Sequence, residues 1–345
     1  MTLHPPHAAH RFHAIQTGSV KRLDQDDQHS PSWHEWSQPE IDALTLAMAA
    51  GRPLLVRGQP GTGKTQLARA AAQHLGWALH AVTVNSRTEA QDLLYRFDAV
   101  KRLADAQAQR TLNEADYWEP GPLWRAYAWA SAQGYGSLRA QATTAPASPA
   151  APPPGHVILL DEIDKADSDL PNSLLELLGQ RSHRFVADRP ILIGGPGTAQ
   201  PLVIVTSNEE RELPPAFQRR CMVLNLQHAA DVSYEQWLLQ RGRAHFGPLA
   251  DRPALLTEPV LLGAAQQLCA DRQLAADAGL TLPGAAEYLD LLTAMHGLAP
   301  RDDQAQLRWI HQLSAYAFIK NADSLHSPGP SQRRAALGVE PNPAG

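Results

Sequence analysis

Four stretches of this sequence carry side chains whose types and spacing suit them to chemistry. The first runs from Gly58 through Gln59, Pro60, Gly61, Thr62 and Gly63 to Lys64 and Thr65, with Gln66 next, and matches G-x-x-x-x-G-K-[ST]. Gly61 and Gly63 let backbone N–H groups approach a phosphate where a Cβ would obstruct, and a following helix N-terminus adds partial positive charge. Lys64 is placed to reach the β- and γ-phosphates, and the Thr65 hydroxyl to ligate Mg²⁺. A glycine turn without a ligand is the alternative, and the strand-like "PLLVRG" before it and helix-like "TQLARAAAQHLG" after it count against that.

The second stretch is "HVILLDEID". An apolar run that ends in Asp161 and Glu162 puts two carboxylates at a strand tip. Asp161 would hold Mg²⁺ through its water shell, and Glu162 could polarise a water for attack on the terminal phosphate. Taken alone, the same pair could cap the next helix. The third, "PLVIVTSNEE", ends in Thr206-Ser207-Asn208, where the Asn208 amide could bond the γ-phosphate or the attacking water, or serve as a turn residue. In the fourth, "LPPAFQRRC", Arg219 and Arg220 stand in tandem and could reach phosphate oxygens across a subunit boundary, or form a solvated pair.

The elements that must position these residues follow from the apolar pattern. Five short runs, "PLLV" (53–56), "ALHAVTV" (78–84), "HVILL" (156–160), "PLVIV" (201–205) and "MVLNL" (222–226), alternate for the most part with helical patterns. That alternation predicts an α/β fold with a parallel sheet covered on both faces. The capping-box pair Ser37 and Glu40 starts a helix that Gly51 ends, and Ser86 with Glu89 predicts another. In the second, Leu93, Leu94, Phe97, Val100, Leu103 and Ala104 form a stripe at helical spacing that reads as core packing. Beyond residue 228 the strand runs stop, and four amphipathic helical patterns follow.

The expected organisation is a flexible arm over 1–35, a nucleotide-binding core over 36–227, a helical domain over 228–325 and a flexible tail over 326–345. Residues 131–155, rich in Ala, Pro, Ser and Gly, read as a flexible insertion in the core. In the arm, His4, His7, His10 and His13 recur every third position, but Pro5 and Pro6 oppose the helix that a metal stripe would need.

Composition narrows the classes. With 345 residues there is enough chain for two or three domains. A net charge of −5 gives no global attraction to nucleic acid, and two cysteines exclude a disulfide framework and suit a reducing cytoplasm. No stretch approaches the length of an apolar membrane span, and the N-terminus has no signal-like apolar region.

Taken together, "GQPGTGKT", "VILLDEIDKA", Asn208 and "LPPAFQRRC" resemble, in kind and in order, the AAA+ ATPases and within them the MoxR-like group. The segments "AQDLLYRFDAVKRLADAQ" and "YWEPGPLWRAY" also look like the MoxR-type region between the second and third strands, and the resemblance covers about residues 36–325. It implies a P-loop NTPase αβα sandwich with a five-stranded parallel sheet plus a C-terminal all-helical lid. It further implies a homo-oligomeric ring, usually a hexamer, with ATP and Mg²⁺ at subunit interfaces. The implied role is that of a chaperone that remodels a client protein, often with a partner carrying a von Willebrand factor A domain. By this resemblance Asn208 is the sensor-1 residue and one of Arg219 and Arg220 the finger, Arg220 by its position before the last strand. The lid departs from the family pattern: Gly284 and Ala285 stand where a sensor-2 arginine is sought, so none is assigned. A nucleic-acid motor and a P-loop phosphotransferase are the competing functions; the acidic balance opposes the first and the separate helical domain the second.

Overall fold

The computed structural model describes residues 6–25, 30–138, 152–179, 182–183, 191–192, 200–227, 232–249, 252–299 and 301–318. The chain divides into two compact units, one of residues 1–23, 36–58 and 64–225, the other of 24–35, 59–63 and 226–345.

The first unit is built on a five-stranded sheet. Its strands are β1 (Leu54–Arg57), β2 (Ala78–Thr83), β3 (His156–Asp161), β4 (Leu202–Ser207) and β5 (Met222–Asn225), in the order β5-β1-β4-β3-β2. Every neighbouring pair is parallel, with Val205 beside Leu160 and Ser207 beside Arg57. Burial explains which runs are purely apolar. Every residue of β4 is buried, as are the first five of β3, whereas the edge strands differ: β2 is mostly half-exposed, and β5 exposes Val223 and Asn225. The five strands that the apolar runs predict are therefore all present in one sheet.

Helices cover this sheet. A short helix, α1 (Pro6–His13), precedes α2 (Gln38–Ala50), whose start is held by Glu40: its carboxylate accepts the Ser37 N–H and hydroxyl, both at 2.8 Å. Gly51, at φ 63°, ends α2 as expected. Next comes α3 (Lys64–Leu75), which buries Leu67, Ala68, Ala70, Ala71 and Leu75. Parallel strands bring the ends of β1, β3 and β4 to one rim, which is where the chemistry-bearing residues lie.

On the edge strand β2, His80 meets His156 of β3, with His80 Nε2 and His156 Nδ1 2.9 Å apart. The rings stack at 5.1 Å, and Trp129 packs 6.1 Å from His80. Burial pushes the His80 imidazole down to about 3 and also lowers His156.

Three expectations are corrected here. The N-terminal segment is not a bare arm: Phe12 is fully buried, stacks 5.7 Å from His74 and lies 6.4 Å from Trp36, while the Arg11 guanidinium donates to the Leu75 carbonyl. Pro6 is no obstacle because it opens the helix, where its missing N–H costs nothing. Second, no helix begins at Ser86. Turns lead into a hairpin of Tyr95–Phe97 and Trp118–Pro120, and α4 (Ala99–Gln107), between its strands, buries no residue. Leu93 is buried, yet Val100 is 80% and Leu103 60% exposed, so the stripe is split between core and surface. Third, the expected insertion is partly structured: Ala132 is buried and Gly155 packs against the Trp77 ring, while 139–151 lie outside the described residues, as does the tail.

Further helices of the first unit pack its core: α5 (Pro122–Tyr127) buries Leu123 and Trp124, α6 (Asp169–Gly179) buries Leu170 and Leu174, and the short helix Pro215–Gln218 buries Phe217.

In the second unit, α7 (Tyr234–Phe246), α8 (Glu258–Asp277), α9 (Ala285–Leu298) and α10 (Asp303–Phe318) surround a core of Trp237, Leu261, Leu268, Tyr288, Leu292 and Ile310. The Tyr288 hydroxyl donates to the Leu261 carbonyl at 3.0 Å, and Gly242 makes room for that tyrosine.

Candidate functional site

Consider first the glycine loop. Gly58, Gly61 and Gly63 have φ values of 155°, 79° and 97°, which a side chain would oppose. The buried Lys64 ammonium donates to the Gly58 carbonyl at 2.8 Å, so it lies folded back on the loop. Burial lowers its pKa, and Asp161, Asp164, Glu162 and Glu209 act against that shift. An incoming phosphate would add negative charge to the same place. Within the second unit, the loop segment 59–63 touches the start of α9: a Cβ on Gly61 would lie 2.5 Å from the Ala286 nitrogen. There too, Arg272 lies over the Tyr234 ring at 4.8 Å and donates to Gln59 Oε1 at 3.1 Å and to the Pro283 carbonyl at 2.6 Å.

At the rim of the sheet, β3 delivers Asp161. One carboxylate oxygen accepts the Thr65 hydroxyl at 2.8 Å, the other the Thr206 hydroxyl at 2.5 Å. Thr65 and Asp161 are thus in contact, and a hydroxyl with a carboxylate is the oxygen-only donor set that Mg²⁺ takes. Glu162, the next residue, adopts a left-handed conformation (φ 62°, ψ 47°). Its N–H donates to the Thr206 hydroxyl oxygen at 2.9 Å. Its carboxylate accepts the Asn208 amide at 3.3 Å and the Lys165 ammonium at 2.8 Å. That ion pair raises the Lys165 pKa, the hydrogen bond to Glu162 being the main cause. Asp164, 2% exposed, fixes the turn after β4 by accepting the Asn208 and Glu210 N–H groups at 3.2 and 2.9 Å.

Of the residues singled out from the sequence, Lys64, Thr65, Asp161, Glu162 and Asn208 belong to the first unit, and all but Lys64 join in one hydrogen-bonded chain through Thr206. Arg219 and Arg220 do not join it: both are exposed, and among the described residues no hydrogen bond or ion pair ties either to that chain. Thr206, Asp164, Lys165 and Arg272 went unassigned in the sequence. The Glu162–Lys165 spacing of three is a legible ion-pair signal, but the other contacts depend on strand register and tertiary packing.

A parallel sheet with a phosphate-type loop after β1 and acids at the tip of β3 defines a P-loop NTPase. Residues 53–221 match the AAA domain of the dynein-related subfamily, so this chain carries an AAA+ ATPase domain. It is 24% identical over 288 residues to Midasin from Giardia intestinalis; the alignment covers 80% of this chain but only 5% of that protein. It also superposes on the crystal structure of an inferred ATPase from Cytophaga hutchinsonii at 14% identity, covering 88% of each chain, with a TM-score of 0.37, which adds nothing to the assignment. Nucleotide binding follows from the family, whose members are typically ring oligomers. Among the described residues no helix is long and apolar enough to cross a membrane.

Proposed function

We propose that this AAA+ ATPase binds ATP with Mg²⁺, hydrolyses it in a MoxR-like ring, and uses the cycle to remodel or activate a partner protein in the cytoplasm. The observation that carries the reading is the Glu162 carboxylate within hydrogen-bond reach of Asn208, beside an Asp161 joined to Thr65. The roles assigned are a phosphate cradle from Gly58 to Gln66, charge neutralisation by Lys64, and Mg²⁺ held by Thr65 and Asp161. When bound, the metal would neutralise charge on the phosphates. Glu162 takes a proton from the attacking water, and Asn208 orients that water or the γ-phosphate. Arg219 or Arg220, exposed beyond the pinned Phe217, is suited to act on a neighbouring subunit's nucleotide, which fits a ring, a hexamer in the MoxR-like group. The domain reading of a core over 36–227 and a lid over 228–325 belongs to the same proposal. The client, a protein with or without a von Willebrand factor A domain, is bound while the terminal phosphate is present and released on its loss.

The test is recovery of bound protein from native cells on the Glu162→Gln variant in ATP and Mg²⁺. One defined protein, absent without ATP or with Lys64→Ala, supports the reading. Recovery of nuclease-sensitive nucleic acid overturns the client assignment in favour of a motor, and steady transfer of phosphate to an acceptor other than water overturns hydrolysis.

A further inference from the structure

We propose that Thr206 is a positioning residue for the hydrolytic reaction: a single buried hydroxyl sets the Asp161 carboxylate and the Glu162 backbone in register with each other. The inference rests on the reading above, in which Asp161 serves the metal and Glu162 the water.

A threonine hydroxyl has one hydrogen to give and lone pairs to receive with. Here the roles are determined. Asp161, as a carboxylate, can only accept, so the hydrogen goes to its Oδ1 at 2.5 Å. The lone pairs are left for the Glu162 N–H, 2.9 Å away. The second Asp161 oxygen is already taken by the Thr65 hydroxyl, so the carboxylate is fixed from both sides. The register sets this up, since Val205 pairs with Leu160 and the next residues, Thr206 and Asp161, come together at the strand tips. Thr206 is fully buried, which leaves no path for solvent to replace its hydroxyl.

The Glu162 turn needs such a partner. A left-handed conformation is disfavoured for a non-glycine residue and persists only where its surroundings determine it. Without the Thr206 oxygen, the Glu162 amide loses its acceptor and the chain has less reason to hold the turn that aims the carboxylate at Asn208. At the same time Asp161 is freed to rotate. Loss of a group that orients metal ligands typically lowers metal affinity or activity by about 10–100-fold.

The experiment compares Thr206→Val, which keeps shape and deletes the hydroxyl, with Thr206→Ser, which keeps the hydroxyl. ATPase rates give kcat and KM; binding of a fluorescent ATP analogue is titrated with Mg²⁺ in parallel, and thermal unfolding is followed for each protein. The expected result for Thr206→Val is a kcat lower by about 10–100-fold, unchanged analogue affinity in EDTA, and a weaker gain of affinity on adding Mg²⁺. Thr206→Ser should restore all three. If Thr206→Val does not fold, Thr206→Ala makes the same deletion without the added bulk. Wild-type kcat in the hydroxyl-free variant overturns the proposal. So does an equal loss of analogue binding with and without Mg²⁺, which marks a purely structural role. Glu162→Gln is run alongside: if it hydrolyses ATP at the wild-type rate, the reading of Glu162 itself has failed. If it is inactive while Thr206→Val is fully active, only the present inference falls.

Discussion

Acid should destabilise the nucleotide-binding unit through His80, and the size of the effect can be worked out. Burial next to His156, with Arg125 adding repulsion, holds the His80 imidazole at about 3, against an ordinary 6.5. The folded state therefore keeps His80 neutral at a pH where the unfolded chain protonates it. Its contribution is fully present above 6.5 and is lost as pH falls from there toward 3. The loss equals RT ln[(1 + 10^(6.5−pH))/(1 + 10^(3−pH))], about 0.2 kcal/mol at pH 7 and about 2.1 at pH 5. Lowering the pH from 7 to 5 thus removes about 2 kcal/mol through this one ring. The figure is insensitive to the folded value: a folded pKa of about 4 changes the result at pH 5 by only about 0.1 kcal/mol. The assay is urea unfolding at both pH values for the wild type and for His80→Gln, whose amide can still donate to His156. Carboxylates and the histidines remote from this contact titrate alike in both proteins, so the difference isolates the His80–His156 pair. The wild type should lose about 2 kcal/mol more than the variant over this range. Equal losses would refute the claim that burial keeps His80 neutral.

Two further changes probe other links. Phe12→Ala removes a fully buried ring that stacks on His74, and should destabilise the first unit by about 3–5 kcal/mol in urea unfolding; an effect under about 1 would mean that α1 is not part of the core. Lys165→Ala removes the cation paired with the Glu162 carboxylate. The pair is partly exposed, so it is worth about 0.2–1 kcal/mol, and freeing the carboxylate should raise kcat about 1.4–5-fold in a steady-state ATPase assay; a fall in kcat would show that Lys165 assists the reaction.

Much of the first unit is legible along the chain because β1, β3 and β4 are interior strands, and burial on both faces writes itself as uninterrupted apolar runs. The loop from Gly58 to Thr65 is legible for a different reason: its backbone geometry tolerates few residues, so its letters are constrained one by one. Amphipathic spacing was less informative. Val100 and Leu103 have the spacing of a core stripe, but α4 sits in a hairpin that turns them outward, a matter of tertiary placement that no periodicity encodes. The N-terminal segment left little trace because, among its described residues, the large apolar side chains that are deeply buried are Phe12 and Leu23, and two isolated apolar residues among polar ones leave no pattern. Thr206 is a third kind of omission. It could be seen at a strand tip, but its partners are set by the parallel register with β3, which appears only once the strand order is known.

The left-handed residue at the tip of β3 gives that register its chemical value. In a regular strand, Asp161 and Glu162 would point to opposite faces of the sheet. Their partners are near neighbours at one strand end: Thr206 lies in β4, and Asn208 directly follows its last residue, Ser207. Asp161 bonds Thr206 and Glu162 bonds Asn208, so the two neighbouring acids reach partners at the same strand end. The conformation at Glu162, φ 62° and ψ 47°, is what breaks the alternation. Glycine would make this turn without strain, but it has no carboxylate to offer. A glutamate held in an unfavourable conformation is therefore the solution open to a chain that needs both acids at one end of one strand. The hydroxyl that holds the turn and the hydroxyl that orients Asp161 are then the same group.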